Sequence, residues 1–218
     1  MKNTKIYAVR KGRKIGIFYT WNDCKNSVSG FPGAIYKSFD NEADAISFLN
    51  NEIEQNEFLS KDNLLIKENV LQEVNNDITV AFVDGSYEDS IKTYSYGSYI
   101  LTKENNEIKE YELQQSFNDE QFLSSRNVSG EIFGVIKTLE WCLLNNKTNI
   151  KFYYDYEGIE KWANDIWKAN TEISKNYKEF LNKNKILFNS IQFQKVNAHS
   201  GIEYNEKADK LAKNALKK

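Results

Sequence analysis

Four carboxylates stand where a soluble core has little use for them: Asp84, Glu131, Asp155 and Asp209. Asp84 and Asp155 each follow an apolar run, residues 78–83 and 150–154, that reads as a buried strand. Glu131 lies four residues before Val135, at the edge of an apolar helical stripe, and Asp209 shares a helix edge with Ala212 and Leu216. An unpaired buried carboxylate costs on the order of several kcal/mol or takes up a proton, so a cation is the natural compensation. A set made only of carboxylate oxygens favours Mg²⁺ or Mn²⁺ over zinc, which prefers His and Cys.

Each residue also has a plainer reading. Asp84-Gly85 is a common turn dipeptide. Glu131 near a helix start would favour the helix dipole. Asp209 alone is an ordinary solvated helix charge. His199 is the chain's one histidine and sits in the polar stretch Asn197-Ala198-His199-Ser200-Gly201. Near a metal site it would move protons at neutral pH; elsewhere it is an exposed loop residue. No GxSxG, P-loop or GxGxxG pattern competes with the carboxylates.

The elements that must position them form two units. Residues 5–10 and 15–20 read as strands joined by a glycine-containing turn, followed by a short helix capped near Thr20, a break at Phe31-Pro32-Gly33, a third strand and a second helix. Residues 51–76 are rich in Glu, Asn, Lys and Gln and read as a semi-flexible linker, with Leu64, Leu65, Ile66, Val70, Leu71 and Val74 able to dock weakly. From residue 77 onward the order is βββαβααβα, which implies an α/β fold: a mixed sheet flanked by helices.

With 40 % hydrophobic and 28 % charged residues, the 218-residue chain reads as globular and large enough for one domain or two. No apolar run approaches the ~18 residues of a membrane span, and no signal-peptide segment follows the first residues. Cys24 and Cys142 match no metal spacing and point to a reducing, cytoplasmic setting. No obligate protein partner is evident. The net charge of −2 argues against nucleic acid, but its distribution does not. Up to Phe39 the basic residues are Lys2, Lys5, Arg10, Lys11, Arg13, Lys14, Lys25 and Lys37, against the single acid Asp23. A basic head interleaved with aromatics is a nucleic-acid footprint.

Taken in order, Val83-Asp84-Gly85-Ser86, Ser129-Gly130-Glu131, Asp155, His199-Ser200-Gly201 and Asn205-Glu206-Lys207-Ala208-Asp209 resemble the ribonuclease H type 1 family. Tyr7 through Phe18, Thr20-Trp21-Asn22-Asp23-Cys24, Phe31-Pro32-Gly33-Ala34 and Tyr36-Lys37-Ser38-Phe39 resemble the small hybrid-binding domain that precedes many such enzymes and also occurs in plant-virus inclusion-body proteins. The resemblance implies a βαβ-type hybrid-binding domain over residues 1–50, a linker over 51–76 and a ribonuclease H domain over 77–218.

It further implies hydrolysis of the RNA strand of RNA–DNA hybrids with two Mg²⁺ ions, Mn²⁺ being possible, leaving 5′-phosphate and 3′-hydroxyl ends. Asp84, Glu131, Asp155 and Asp209 would be metal ligands, and His199 would assist protonation or product release. Asn127 would contact the hybrid minor groove, and Tyr7, Trp21, Tyr36 and Lys37 would bind nucleic acid in the head. Tyr156, where relatives often carry serine, and Ser38, where a second lysine is common, depart from the pattern. The stretch between Trp162 and Ile186 is too short and too mixed in charge for the basic protrusion of some relatives. The alternatives are a metal nuclease acting on DNA junctions or single-strand ends, and a non-catalytic hybrid- or double-stranded-RNA-binding protein on the same fold.

Overall fold

The computed structural model describes residues 5–197 and 201–217, and for residues 50–62 the backbone alone. Two compact units divide between Asp62 and Asn63.

In the first unit, strands β1 (Ile6–Lys11), β2 (Gly16–Phe18) and β3 (Ile35–Phe39) form an antiparallel sheet in the order β2-β1-β3. Helix α1 (Trp21–Val28) starts where Thr20 Oγ1 accepts the Asp23 amide at 3.2 Å, the expected cap. Its apolar face places Cys24 and Val28 on Val9, a core small enough to leave most side chains of β3 exposed.

Helix α2 (Glu42–Asn75) runs without interruption for 34 residues. The stretch expected as a linker therefore lies within a helix as far as Asn75. The physical reason is the four-residue spacing of Ile66, Val70 and Val74, which puts them on one face. Val70 and Val74 are fully buried, and burying a valine is worth about 1.5–3 kcal/mol relative to leaving it in water. Leu64 and Leu65, by contrast, remain exposed.

The second unit is a five-stranded mixed sheet in the order β6-β5-β4-β7-β8. Strands β4 (Thr79–Glu88), β5 (Thr93–Glu104) and β6 (Glu107–Phe117) are antiparallel neighbours. Strands β7 (Asn149–Tyr154) and β8 (Ser190–Lys195) run parallel to β4. The short helix α3 (Glu120–Leu123) leads to α4 (Asn127–Leu144); α5 (Gly158–Ala163) and α6 (Glu172–Asn184) join β7 to β8, and α7 (Glu203–Ala215) follows.

Strand alternation sends Ala81 and Val83 to one face, where Ile132, Val135, Ile136 and Leu139 of α4 meet Tyr177 and Leu181 of α6. Val80 and Phe82 point to the other face, under Ala208 and Leu211 of α7 and Val70 and Val74 of α2. Among the described residues no helix is long and apolar enough to cross a membrane.

Candidate active site

Asp84 lies inside β4 rather than at its end. Parallel pairing of β4 with β7 stops at Phe82 opposite Tyr153, while antiparallel pairing with β5 continues past Asp84, opposite Gly97, to Glu88. Asp84 thus sits where one neighbour has ended and the other still holds the strand straight. Its Oδ1 accepts the Gly85 amide at 2.7 Å.

A helix packs directly against Gly85. A Cβ at Gly85 would lie 2.1 Å from the Asn127 carbonyl oxygen and 2.4 Å from the Glu131 nitrogen. Gly130 repeats the device from the helix side: a Cβ there would fall 2.0 Å from the Ser95 carbonyl oxygen. The first turn of α4 therefore presses onto β4 and β5, which sinks Glu131 to 2 % exposure. The helix begins at Asn127, with no side-chain cap at Arg126, and Ser129 donates to the Phe122 carbonyl at 2.6 Å. Glu131 Oε1 accepts the amides of Asp155 at 3.3 Å and Tyr156 at 3.4 Å, so α4 and the end of β7 are tied together through this carboxylate.

Asp155 directly follows β7, as expected. Asp209 reaches the site because α7 also sits on a glycine: a Cβ at Gly97 would be 2.0 Å from the Ala208 carbonyl oxygen, and Ser95 Oγ donates to the Ala212 carbonyl at 2.6 Å. The Asp209 side chain is 17 % exposed and accepts from Lys213 Nζ at 2.7 Å. Lys213 was not singled out from the sequence, although its four-residue spacing from Asp209 was legible.

The electrostatics show the convergence. Burial, then the charges of Asp155 and Asp209, push the Asp84 carboxyl up to about 7, against smaller opposing effects of the Gly85 amide and Lys213. Burial, then Asp155 and Asp84, hold Glu131 well above the usual carboxylate range. Lys213 is raised chiefly by its hydrogen bond to Asp209. Asp84 thus feels Asp155 and Asp209, and Glu131 feels Asp155 and Asp84.

Among the described residues no three acidic, cysteine or histidine side chains are already closed into a metal cage. The four acids nonetheless suit a hard cation: each offers carboxylate oxygens, and a divalent ion would offset both the burial and the mutual repulsion that raise Asp84 and Glu131. His199 lies outside the described residues. Asn127 is exposed at the first residue of α4, beside Gly85.

In the head, Trp21 bridges the other two aromatics, with ring centroids 5.4 Å from Tyr7 and 6.0 Å from Tyr36. Trp21 and Tyr36 are 44 % and 45 % exposed, well beyond what a core anchor shows. Lys37 follows Tyr36 on an extended strand and so faces the other way, with its Nζ 5.6 Å from the Phe39 ring centroid. The aromatic cluster and Lys37 therefore lie on opposite sides of β3.

Residues 75–217 match the RNase H family model, and residues 5–49 match that of the Ribonuclease H1 N-terminal domain. The first match covers well over half of the sequence, and the chain belongs to the RNase H family. Over 44 residues, 20 % of this chain and 13 % of the relative, it is 63 % identical to the ribonuclease H of Saccharomyces cerevisiae. It is 26 % identical to that of Clostridium botulinum strain Hall over 148 residues, 63 % of this chain and 94 % of the relative. The chain thus spans only about an eighth of the first curated relative it matches.

Two solved structures share the fold of the second unit. The RNase H1 of the halophilic archaeon Halobacterium salinarum NRC-1 has a TM-score of 0.53 at 19 % identity, covering 64 % of this chain and 97 % of that one. LC11-RNase H1, solved in complex with an RNA/DNA hybrid, has a TM-score of 0.51 at 17 % identity, covering 64 % of this chain and 96 % of that one.

Proposed function

We propose that this protein is an endonuclease that hydrolyses the RNA strand of RNA–DNA hybrids, leaving 5′-phosphate and 3′-hydroxyl ends. The observation that carries the proposal is the convergence of four carboxylates from separate elements, Asp84 on β4, Glu131 buried on α4 and tied to the Asp155 and Tyr156 amides, Asp155 after β7 and Asp209 on α7. Family membership and the hybrid-bound relative support the substrate.

Asp84, Glu131, Asp155 and Asp209 would hold two Mg²⁺ ions, or Mn²⁺. When bound, such ions activate water and stabilise the leaving 3′ oxygen. The chain's own contribution is placement. The Asp155 and Tyr156 amides orient Glu131, and the Gly85 amide orients Asp84. Lys213 neutralises Asp209 until a stronger cation competes for that carboxylate. His199 is assigned proton transfer or product release on its place in the sequence. Asn127 is assigned a contact to the minor groove, where 2′-hydroxyls distinguish RNA from DNA.

The head, residues 1–50, is assigned hybrid binding, with Tyr7, Trp21 and Tyr36 offering stacking surface and Lys37 a phosphate contact. Residues 77–218 are assigned the catalytic domain, and the cytoplasm is the proposed setting. A panel of RNA–DNA hybrid, duplex DNA and duplex RNA with Mg²⁺ tests the reading. Cleavage confined to the RNA strand of the hybrid supports it. Preference for duplex DNA would replace it with a DNA nuclease, and an inert protein that still binds hybrid would replace it with a binding module.

A further inference from the structure

We infer that residues 63–75 of helix α2 are a positioning element of the catalytic unit, holding the start of α7 and through it Asp209. The inference rests on the proposed metal-dependent activity but is drawn from packing that no sequence motif marks.

Helix α7 has acids Glu203 and Glu206 in its first turn but, among the described residues, no side-chain cap. Its cap position is Ile202, which makes no side-chain cap hydrogen bond, and isoleucine is among the poorest residues there. The turn is held instead from α2. Lys67 Nζ meets Glu203 at 3.1 Å, and Glu203 also takes Lys207 at 3.3 Å. Gly201, at a φ of +78°, approaches the α2 side chain of Asn63: a Cβ there would lie 3.4 Å from Asn63 Nδ2. Beneath these polar contacts, fully buried Val70 and Val74 share one cluster with the cap residue Ile202, with Tyr204, Ala208 and Leu211 of α7 and with Val80 and Phe82 of β4.

Helix α2 is itself pinned to the sheet. Both oxygens of Glu73 are used, one by Lys151 Nζ at 2.5 Å and the other by the Tyr153 hydroxyl at 3.0 Å, and the side chains of Glu73 and Lys151 are under one-fifth exposed. Lys103 Nζ reaches the Asn75 carbonyl at 3.1 Å. The helix is thus fixed to β7 and β5 and leads into β4, the strand of Asp84, while its apolar face supports the helix of Asp209. Ala208, the residue before Asp209, sits in the shared cluster, so a shift of α7 moves that ligand relative to Asp84.

The test uses the full chain with Val74→Ala, and Leu181→Ala as a control that thins the α6 side of the opposite core, on an element carrying none of the four carboxylates. Both are studied below their unfolding transitions. The expected result is faster amide hydrogen exchange over residues 203–209 in Val74→Ala alone. The Mg²⁺ concentration for half-maximal hybrid cleavage should also rise roughly tenfold in that variant alone, as for lost outer-shell support of a metal ligand. Lys67→Ala, a milder surface change, should move both readouts the same way by less, and it decides the matter if Val74→Ala fails to fold.

Unchanged exchange over 203–209, or an equal rise in Mg²⁺ requirement in the control, overturns the inference. If the parent chain cleaves no hybrid, the functional reading falls separately. Exchange together with Mn²⁺ affinity measured by calorimetry then decides whether α2 positions α7.

Discussion

Gly85 and Gly130 meet backbone to backbone: a Cβ on Gly130 would stand 3.1 Å from the Gly85 Cα. This contact lets α4 descend onto β4 and brings Glu131 beside Asp84. The site is thus built less by its carboxylates than by the absence of side chains between the elements that carry them. Gly85→Ala should destabilise the protein by about 1–3 kcal/mol, the usual effect of overpacking, and lower cleavage by more than tenfold. Gly134→Ala, whose Cβ would meet nothing closer than 3.4 Å, is the matched comparison and should be nearly neutral. Thermal unfolding and single-turnover cleavage of both variants check this.

Asp84→Asn should separate stability from activity. Without metal, the substitution removes one of several repelling carboxylates, so the melting temperature should hold or rise. Metal-dependent cleavage should fall below detection while hybrid binding persists. A paired thermal melt and gel-shift titration would show it, and a large loss of stability would mean that Asp84 is a structural residue.

The pH dependence of the metal-free protein follows from the burial of these carboxyls and, after it, their mutual repulsion. In the unfolded chain Asp84 and Glu131 titrate near ~4. In the folded chain Asp84 titrates at about 7 and Glu131 is raised well above its ordinary value. Between those limits the folded state holds protons that the unfolded state has released. The contribution of these two groups to stability therefore declines as pH rises through that window and levels off above the folded values. Mg²⁺ at pH 8 should restore it, because the ion binds the deprotonated folded arrangement. Melts at pH 5 and pH 8, with chelator and with Mg²⁺, measure the effect. It should shrink in Glu131→Gln.

The head carries a separate prediction. Trp21→Ala combined with Lys37→Ala should weaken hybrid binding by about 1–3 kcal/mol for the lost stacking and reduce the salt slope by roughly one for the lost phosphate contact. Because the two side chains face different ways, the single variants should add. Affinity measured across a salt series tests both points, and an unchanged affinity at moderate salt would reject a role for this face.

Much of this arrangement was legible in the chain itself, for identifiable reasons. Residues 78–83 and 150–154 are apolar enough to be central strands, so the acids that follow them stood out, and the stripe of Ile132, Val135, Ile136 and Leu139 announced α4. The sequence did not tell what a glycine makes room for. Asp84-Gly85 read as a turn dipeptide, and neither Gly97 nor Gly130 showed what packs against it, because close backbone approach depends on a partner distant in sequence. Asp84 read as the end of a strand because the apolar run stops there, but pairing with β5 carries the strand on through polar residues. The polar composition of residues 51–76 hid a helix whose described side chains are anchored chiefly through Val70, Val74 and the Glu73–Lys151 pair.

The central claim is that the four carboxylates form one metal-dependent nuclease site for hybrids. The most direct measurement is Mg²⁺-dependent cleavage of an RNA–DNA hybrid labelled on the RNA strand, with the ends of the products analysed, for the parent chain and for Asp84→Asn. The account predicts RNA cleavage to 5′-phosphate and 3′-hydroxyl ends by the parent, none in chelator, and none by the variant. Undiminished cleavage by Asp84→Asn, or an intact RNA strand after incubation of the parent with Mg²⁺ or Mn²⁺, would contradict it.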